Sequence, residues 1–337
     1  WRQLWAILVL ALAARLLFVA IAPVAYGDAV SYAWVAWFTS HGEWQLADPF
    51  SHSLFDFWQA GQLLTGIGQY PALVLASLLP GLLLIVPAYL LTRRLYGNPA
   101  ALVAGLFVAL HPRLVEYAVN GYAESFYLCA AMWAVWGITT VIQERGHRAA
   151  WAAIGLGAAG YFLVRNEAVL LIGLLGAVAL LLAARRRLDL RLAGTPLALF
   201  AACVLAYTAA SQALWDQSGL FSKSSNLGKQ NLETLDIAAA ARETYGEPAV
   251  GEATASLAGK LTTLVTRLPA NLMYSAVRLP GMLLSPVIFL AVLLPLLLAR
   301  RGRTPGEELA MLAFSLWPVV FYWVFELEPR LLFPTLI

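Results

Sequence analysis

The chain has 337 residues, of which 61% are hydrophobic and 12% carry a charge, and its formal net charge is +3. A soluble domain carries about twice that charged fraction, so the composition excludes a water-soluble globular protein. The sequence instead predicts an all-α protein that crosses a membrane several times, as one transmembrane domain over residues 1–337. The chain begins at Trp1 and stops inside an apolar run at Ile337, so we expect it to be part of a longer protein that continues past its C-terminal end.

Apolar stretches that could cross a hydrocarbon core of about 30 Å recur along the chain. They cover residues 4–24, 71–91, 99–110, 124–142, 151–164, 168–184, 193–214, 282–299 and 309–325, and a further one begins at Leu331. These runs predict a bundle of membrane-spanning helices whose connecting loops alternate between the two sides of the membrane.

The short loops of the two sides differ in their arginine content. One side holds Arg2, Arg93, Arg94, Arg145, Arg148, Arg185, Arg186, Arg187, Arg191, Arg300, Arg301 and Arg303. The short loops of the other side hold only Arg113, Arg165 and Arg330. Because arginine-rich short loops stay in the cytoplasm, we expect the second side to face the periplasm from an inner membrane. Most of the acidic residues lie on that outer side.

Two long loops are predicted on the outer side. The first covers residues 25–70 and contains "SYAWVAWFTSHGEW" and "FSHSLFDFWQAGQLL", which combine helical spacing with many aromatic residues. Such segments are typical of helices that lie in the membrane interface. The second long loop covers residues 215–269 and is polar, with a helix predicted around residues 233–245.

Polar side chains collect at the outer ends of the predicted spans. Asp28 follows the first span, and Tyr32 lies one helical turn after it. The other outer loops supply Glu116, Tyr117, Asn120 and Glu124, then Arg165 and Glu167, then Glu328 and Arg330. Charges at the ends of spans are costly unless partnered or solvated, so this pattern predicts one outward-facing polar cavity. The alternative is that each acid is solvated, caps a helix or forms a local ion pair.

Two other features receive separate interpretations. Arg15 lies within the first span, and we expect a structural role in which it finds a partner or extends toward the interface. His41 and His52 share the first outer loop with Asp48 and Asp56, which leaves a divalent-cation site open. Their spacing does not support such a site, so no cofactor is predicted, and Asp56 is treated as an ordinary solvated acid.

Three short segments resemble signatures of the GT-C superfamily of membrane glycosyltransferases. They are "YGDAVSYAWVAW" in a first outer loop that ends near "QYPAL", "HP" followed by "ESFYL" ahead of the fourth span, and the late "EPRLLFP". In these segments the chain is similar to the branch that contains protein O-mannosyltransferase-like and aminoarabinose-transferase-like enzymes.

The resemblance implies an enzyme that moves a sugar from a polyprenyl-phosphate carrier to an acceptor hydroxyl on the periplasmic side, with inversion. Asp28 matches the family's catalytic base, and Glu116 and Glu124 are the alternatives for that role. The leaving lipid phosphate needs cations. The outer loops offer Arg165, Arg330, Lys223 and Lys229 for that purpose. The expected partners are this donor, membrane lipids and an unidentified lipid, glycan or protein acceptor, but not nucleic acid.

A secondary transporter and a non-catalytic lipid-binding membrane protein are the alternative functions. Transporters bind their substrates near the membrane midplane, often at broken helices in matched halves. The sequence shows Arg15 as its mid-span charge and no two-fold hydropathy symmetry, which favours the enzyme. Loss of donor turnover with intact lipid binding in Asp28→Asn would separate an enzyme from a lipid-binding protein.

Overall fold

The computed structural model describes residues 1–21, 28–43, 54–144, 147–165 and 190–215. Within these ranges the chain forms ten α-helices and no strand, as predicted for an all-α membrane protein. The helices are α1 (Arg2–Ile21), α2 (Asp28–Ser40), α3 (Leu54–Leu63), α4 (Gln69–Leu83), α5 (Ile85–Tyr96), α6 (Asn98–Leu110), α7 (Pro112–Tyr117), α8 (Glu124–Gln143), α9 (Arg148–Val164) and α10 (Leu190–Trp215).

The apolar runs predicted within the described ranges all form helices. Among the described residues, three segments are long and apolar enough to cross a membrane: Arg2–Ile21, Gln69–Tyr96 and Gly194–Ala213. Asn98–Leu110 and Arg148–Val164 are shorter apolar helices. The segment 25–70 contains the two helices predicted for it, α2 and α3, whose placement in the membrane interface and on the outer side stays a prediction. The predicted spans at residues 168–184, 282–299 and 309–325, and the loop at 215–269, lie outside the described residues.

One predicted span is interrupted near its middle. Pro80 lies inside α4, and Leu84 separates α4 from α5. Pro87, the third residue of α5, lacks the N–H that would donate to the carbonyl of Leu83 and crowds the turn before it, so the hydrogen-bond pattern is interrupted at Leu84 although that residue keeps helical backbone angles. The second long apolar segment is therefore two helices in sequence.

Arg15 is buried in α1 and is held by backbone carbonyls. Its guanidinium donates to the carbonyl oxygens of Ala109 at 2.9 Å and Ala11 at 3.1 Å, and more distantly to that of Gly81 at 3.4 Å. Ala109 lies in the last turn of α6, whose carbonyls have no partner within the helix. Arg15 thereby connects α1 to α6 and α4, in agreement with the structural role expected for it.

The helices α8 and α9 pack closely as an antiparallel pair. Gly157 of α9 approaches the α8 backbone so closely that an added Cβ would overlap the carbonyl oxygen of Ala130. Small residues of this kind allow membrane helices to meet backbone to backbone. This packing places Glu124, the first residue of α8, beside Arg165, which follows α9.

Residues predicted to share one side of the membrane meet at one end of the bundle. Arg94 at the end of α5 forms an ion pair of 2.7 Å with Glu144, which follows α8, and also contacts Gln143. Arg94 and Glu144 both belong to the side predicted to be cytoplasmic. The opposite ends of the helices carry the polar groups considered next.

Candidate active site

The helix α2 carries two of the predicted site residues on adjacent turns. Asp28 is its first residue, where the backbone N–H groups of a helix favour a negative charge. Ala29 and Ala33 form a buried cluster with Leu73 of α4. This packing fixes α2 against α4, and it sets the position of Asp28 and of Tyr32 one turn later.

A tight turn joins the start of α8 to the same region. Gly121 has a φ of 75°, a backbone conformation that favours glycine, and its N–H donates to the Ser77 hydroxyl of α4 at 3.2 Å. A Cβ at Gly121 would overlap the side chain of Leu73. Because Leu73 also packs against α2, this turn links the position of Glu124, the first residue of α8, to that of α2.

Glu124 and Arg165 form a buried ion pair across the α8–α9 pair. Arg165 follows the last residue of α9 and donates from Nη2 to the Glu124 carboxylate at 2.9 Å. Glu124 is 1% exposed, and its second carboxylate oxygen has no hydrogen-bond partner among the described residues. The Arg165 guanidinium also lies 5.0 Å from the ring centroid of Tyr127, which stacks on Tyr161 at 5.4 Å. These contacts hold the guanidinium of Arg165 in one place.

Four charged side chains from four parts of the chain lie near enough to Tyr32 for their charges to act on its phenol. Burial raises the pKa of the Tyr32 phenol, the Arg165 guanidinium lowers that pKa, and the carboxylates of Glu124, Asp56 and Asp28 raise it further. The phenol therefore keeps its proton near neutral pH and can donate a hydrogen bond. We call Asp28, Asp56, Glu124 and Arg165 the charged cluster. Its three carboxylates outnumber its single guanidinium.

The expectation that Asp56 is a solvated acid is wrong. Asp56 lies on α3 and is 1% exposed, and Gln59 on the same helix is fully buried. The neighbouring Phe55 packs edge to face against Tyr32, with 5.4 Å between ring centroids. Helix α3 packs against α2, α4 and α9, so its polar face points inward rather than toward water. The sequence signal that could have indicated this was the i, i+3 spacing of the two polar residues within an aromatic stretch.

The 111–123 segment supplies three of the predicted site residues, Glu116, Tyr117 and Asn120. The segment forms the short helix α7, which the sequence analysis had treated as a loop although proline at the first helical position favours such a turn. Glu116 pairs with Arg113 at 2.8 Å, and it is not among the charges that act on Tyr32. Tyr117 and Asn120 are buried, and the Tyr117 ring packs against Tyr122.

An apolar groove runs along the bundle close to the charged cluster. Its cavity volume is about 1230 Å³, and it is lined by α1, α3, α4, α5, α8, α9 and α10. Trp58, Phe126 and Trp1 are among its aromatic lining residues. Phe126 contacts Phe55, which contacts Tyr32, so a series of aromatic rings connects the groove to the charged cluster. A long apolar chain in this groove would have its end beside ionised groups.

Several predicted site residues lie outside the described ranges. They are Arg330, Lys223, Lys229, Glu167 and Glu328, together with Asp48 and His52 of the open cation alternative. Within the described ranges no three histidine, cysteine, aspartate or glutamate side chains are grouped as metal ligands would be. The prediction from the sequence that no metal cofactor is needed stays a prediction.

The comparisons with known proteins agree with the resemblance seen in the sequence. The profile of the dolichyl-phosphate-mannose-protein mannosyltransferase family matches residues 56–211. No curated protein sequence matches the chain. The matched segment includes Asp56, Glu124 and Arg165, and the family implies a membrane glycosyltransferase whose donor is a sugar linked to a polyprenyl phosphate. Over residues 56–211 the chain is thus similar to the dolichyl-phosphate-mannose-protein mannosyltransferase family of the GT-C superfamily.

Proposed function

We propose that this protein transfers a sugar from a polyprenyl-phosphate carrier to an acceptor hydroxyl on the periplasmic side of the inner membrane, with Asp28 as the general base. The observation that carries the proposal is the convergence of Asp28, Asp56, Glu124 and Arg165 around the Tyr32 phenol, beside an apolar groove. A lipid-linked sugar phosphate needs both environments next to each other, one for its chain and one for its head.

Asp28 has the chemistry that the acceptor requires. A hydroxyl is a weak nucleophile, and a positioned carboxylate can take its proton as the oxygen attacks the anomeric carbon. The new carbon–oxygen bond forms while the bond from the anomeric carbon to the phosphate oxygen breaks. The electron pair of that bond leaves with the polyprenyl phosphate. A single displacement of this kind inverts the configuration at the anomeric carbon.

Arg165 is suited to hold the phosphate of the donor. The departing phosphate gains negative charge, and a guanidinium stabilises that charge through two parallel hydrogen bonds. Glu124 accepts one hydrogen bond from Arg165 and so orients it. We therefore assign Glu124 as a positioning residue. The three carboxylates of the charged cluster oppose an incoming anion, so further cations are needed, and Arg330, Lys223 and Lys229 are the candidates.

The apolar groove is suited to the polyprenyl chain. The rings of Trp58 and Phe126 line the groove with their centroids 6.5 Å apart, and Phe126 connects it through Phe55 to Tyr32. Binding of an isoprenoid chain in the groove is favourable because the chain leaves water or replaces loosely packed lipid. Aromatic walls are typical of sites for such ligands. The family's donor class and the groove therefore agree.

The experiment measures turnover of a polyprenyl-phosphate sugar in membranes by mass spectrometry of the released polyprenyl phosphate. Wild type, Asp28→Asn and Glu43→Gln are compared. Glu43 is an exposed acid in the same outer loop, so it is a matched control. Loss of a general base lowers the rate roughly 10²–10⁴-fold, while loss of a solvated acid changes it little. An Asp28→Asn rate within threefold of wild type would remove Asp28 from the mechanism.

A further inference from the structure

Helix α3 buries two polar side chains that the catalytic assignment does not use. Asp56 is 1% exposed and Gln59 is 0% exposed, and their spacing of three residues places them on the same helix face. Neither the nitrogen nor the oxygen of the Gln59 amide has a hydrogen-bond partner among the described residues. A buried primary amide normally satisfies both groups, because an unmade hydrogen bond in a protein interior is costly.

The surroundings of Asp56 place this pair next to the reacting groups. Phe55, on one side of Asp56 in the sequence, packs edge to face on Tyr32 of α2. Phe57, on the other side, packs edge to face on Tyr207 of α10, with ring centroids 5.9 Å apart. The charge of Asp56 acts on both tyrosine hydroxyls. Asp56 thus lies between α2 and α10.

The chemistry of this pair suits a neutral polyhydroxyl group. A carboxylate accepts hydrogen bonds from hydroxyls, and a primary amide both donates to and accepts from them. A phosphate would be repelled by Asp56, and an isoprenoid chain would leave the Gln59 amide unsatisfied. Of the three parts of a lipid-linked sugar phosphate, only the sugar matches what Asp56 and Gln59 offer.

We propose that Asp56 and Gln59 bind hydroxyls of the sugar that is transferred, and thereby determine which donor the enzyme accepts. This inference rests on the proposed function, because it assumes that the donor head occupies the charged cluster. It adds residues that determine sugar specificity. It also means that the buried amide of Gln59 forms its hydrogen bonds with sugar hydroxyls when the donor binds.

The experiment measures binding with no acceptor present, so that an acceptor sugar cannot contribute. Polyprenyl phosphate alone and the same lipid carrying mannose, glucose, galactose or arabinose are titrated into the purified full chain. The sugar that most tightens binding to wild type is then used for the variants. In Gln59→Leu and in Asp56→Asn, the affinity for that sugar-bearing lipid should fall about tenfold, equivalent to about 1.4 kcal/mol. The affinity of Gln59→Leu for the bare lipid phosphate should stay within twofold of wild type, and that of Asp56→Asn should stay constant or rise, because the substitution removes a negative charge that repels the phosphate.

Thermal unfolding of the ligand-free protein supplies a second readout. If Gln59 awaits a ligand, leucine removes an unsatisfied amide, and the melting temperature of Gln59→Leu should stay constant or rise. A lower melting temperature would mean that Gln59 serves the fold and would overturn the proposal. A Gln59→Leu protein that keeps the wild-type preference for the sugar-bearing lipid would overturn it as well.

The outcomes separate this inference from the proposed function. If wild type binds no sugar-bearing lipid more tightly than the bare lipid phosphate, both fail together. If wild type shows the preference and both variants retain it, only the assignment of Asp56 and Gln59 fails. Asp28→Asn is the internal control, because removal of the base should abolish turnover while leaving the sugar-dependent gain in affinity unchanged.

Discussion

Replacement of Glu124 by glutamine tests whether Glu124 positions Arg165 or acts as the general base. At the 2.9 Å separation of Arg165 and Glu124, and an effective dielectric constant of about 20, the gross attraction is about 6 kcal/mol. Desolvation of both groups offsets much of this attraction, and removal of one partner from a buried pair typically costs about 3–5 kcal/mol. The Arg165 side chain is 17% exposed, and glutamine can still accept one hydrogen bond from it. We therefore expect Glu124→Gln to lower the free energy of unfolding by about 2 kcal/mol.

Thermal unfolding in detergent, followed by tryptophan fluorescence, measures that loss. At about 2 °C per kcal/mol for a chain of this size, the melting temperature should fall by about 4 °C. Glu116→Gln is the matched control, because Glu116 is also paired with an arginine but that partner, Arg113, is 60% exposed. An exposed pair of this kind contributes about 0–1 kcal/mol, so the control should melt close to wild type.

Kinetics and a double-mutant cycle complete the test. As a positioning residue, Glu124 should alter donor affinity by about tenfold when neutralised, and the pH dependence of turnover should keep its shape. As a general base, it should instead lower turnover roughly 10²–10⁴-fold with unchanged affinity. The stability losses of Glu124→Gln and Arg165→Met should also be non-additive by at least about 1 kcal/mol. Additive losses, or a collapse of turnover with normal donor affinity, would refute the assignment.

Three further predictions follow from the fold. Gly121→Ala should lower both the melting temperature and the turnover, because a Cβ at this position overlaps Leu73 and displaces α2. A variant that equals wild type in both measurements would contradict the coupling of α8 to α2. Arg15→Met should lower the free energy of unfolding by about 2 kcal/mol, measured by thermal unfolding, because carbonyls at the end of α6 lose their hydrogen-bond donor. Arg15→Lys should lower the free energy of unfolding by a smaller amount, because lysine can still donate to these carbonyls. Cysteines introduced at Thr65 and Asn98, both exposed, should react with a membrane-impermeant reagent from opposite sides; labelling from the same side would reject the predicted topology.

The sequence determined the fold class and most of the helices within the described ranges. Apolar runs of sufficient length leave few alternatives to helices, because every backbone polar group in a membrane needs a partner within the chain. The same reasoning located α2 and α3 from their aromatic helical spacing. It missed α7, a helix of six residues, because hydropathy carries little information over so short a segment.

The sequence also identified individual candidates for the site, including Asp28, Glu124 and Arg165, from their places at the ends of spans. It could not tell which of them share a centre, because residues 28, 124 and 165 are brought together only by the packing of α2, α8 and α9. For that reason Glu124 and Arg165 were assigned separate roles, although they form one ion pair.

Burial was decided by tertiary structure alone. Asp56 and Glu43 belong to the same outer loop, yet Asp56 is enclosed by packed helices and Glu43 is exposed. The physical reason is that hydropathy reports whether a segment prefers lipid or water, while the direction in which one side chain points depends on the helices packed around it. In this protein those neighbours decide which acids line the candidate active site.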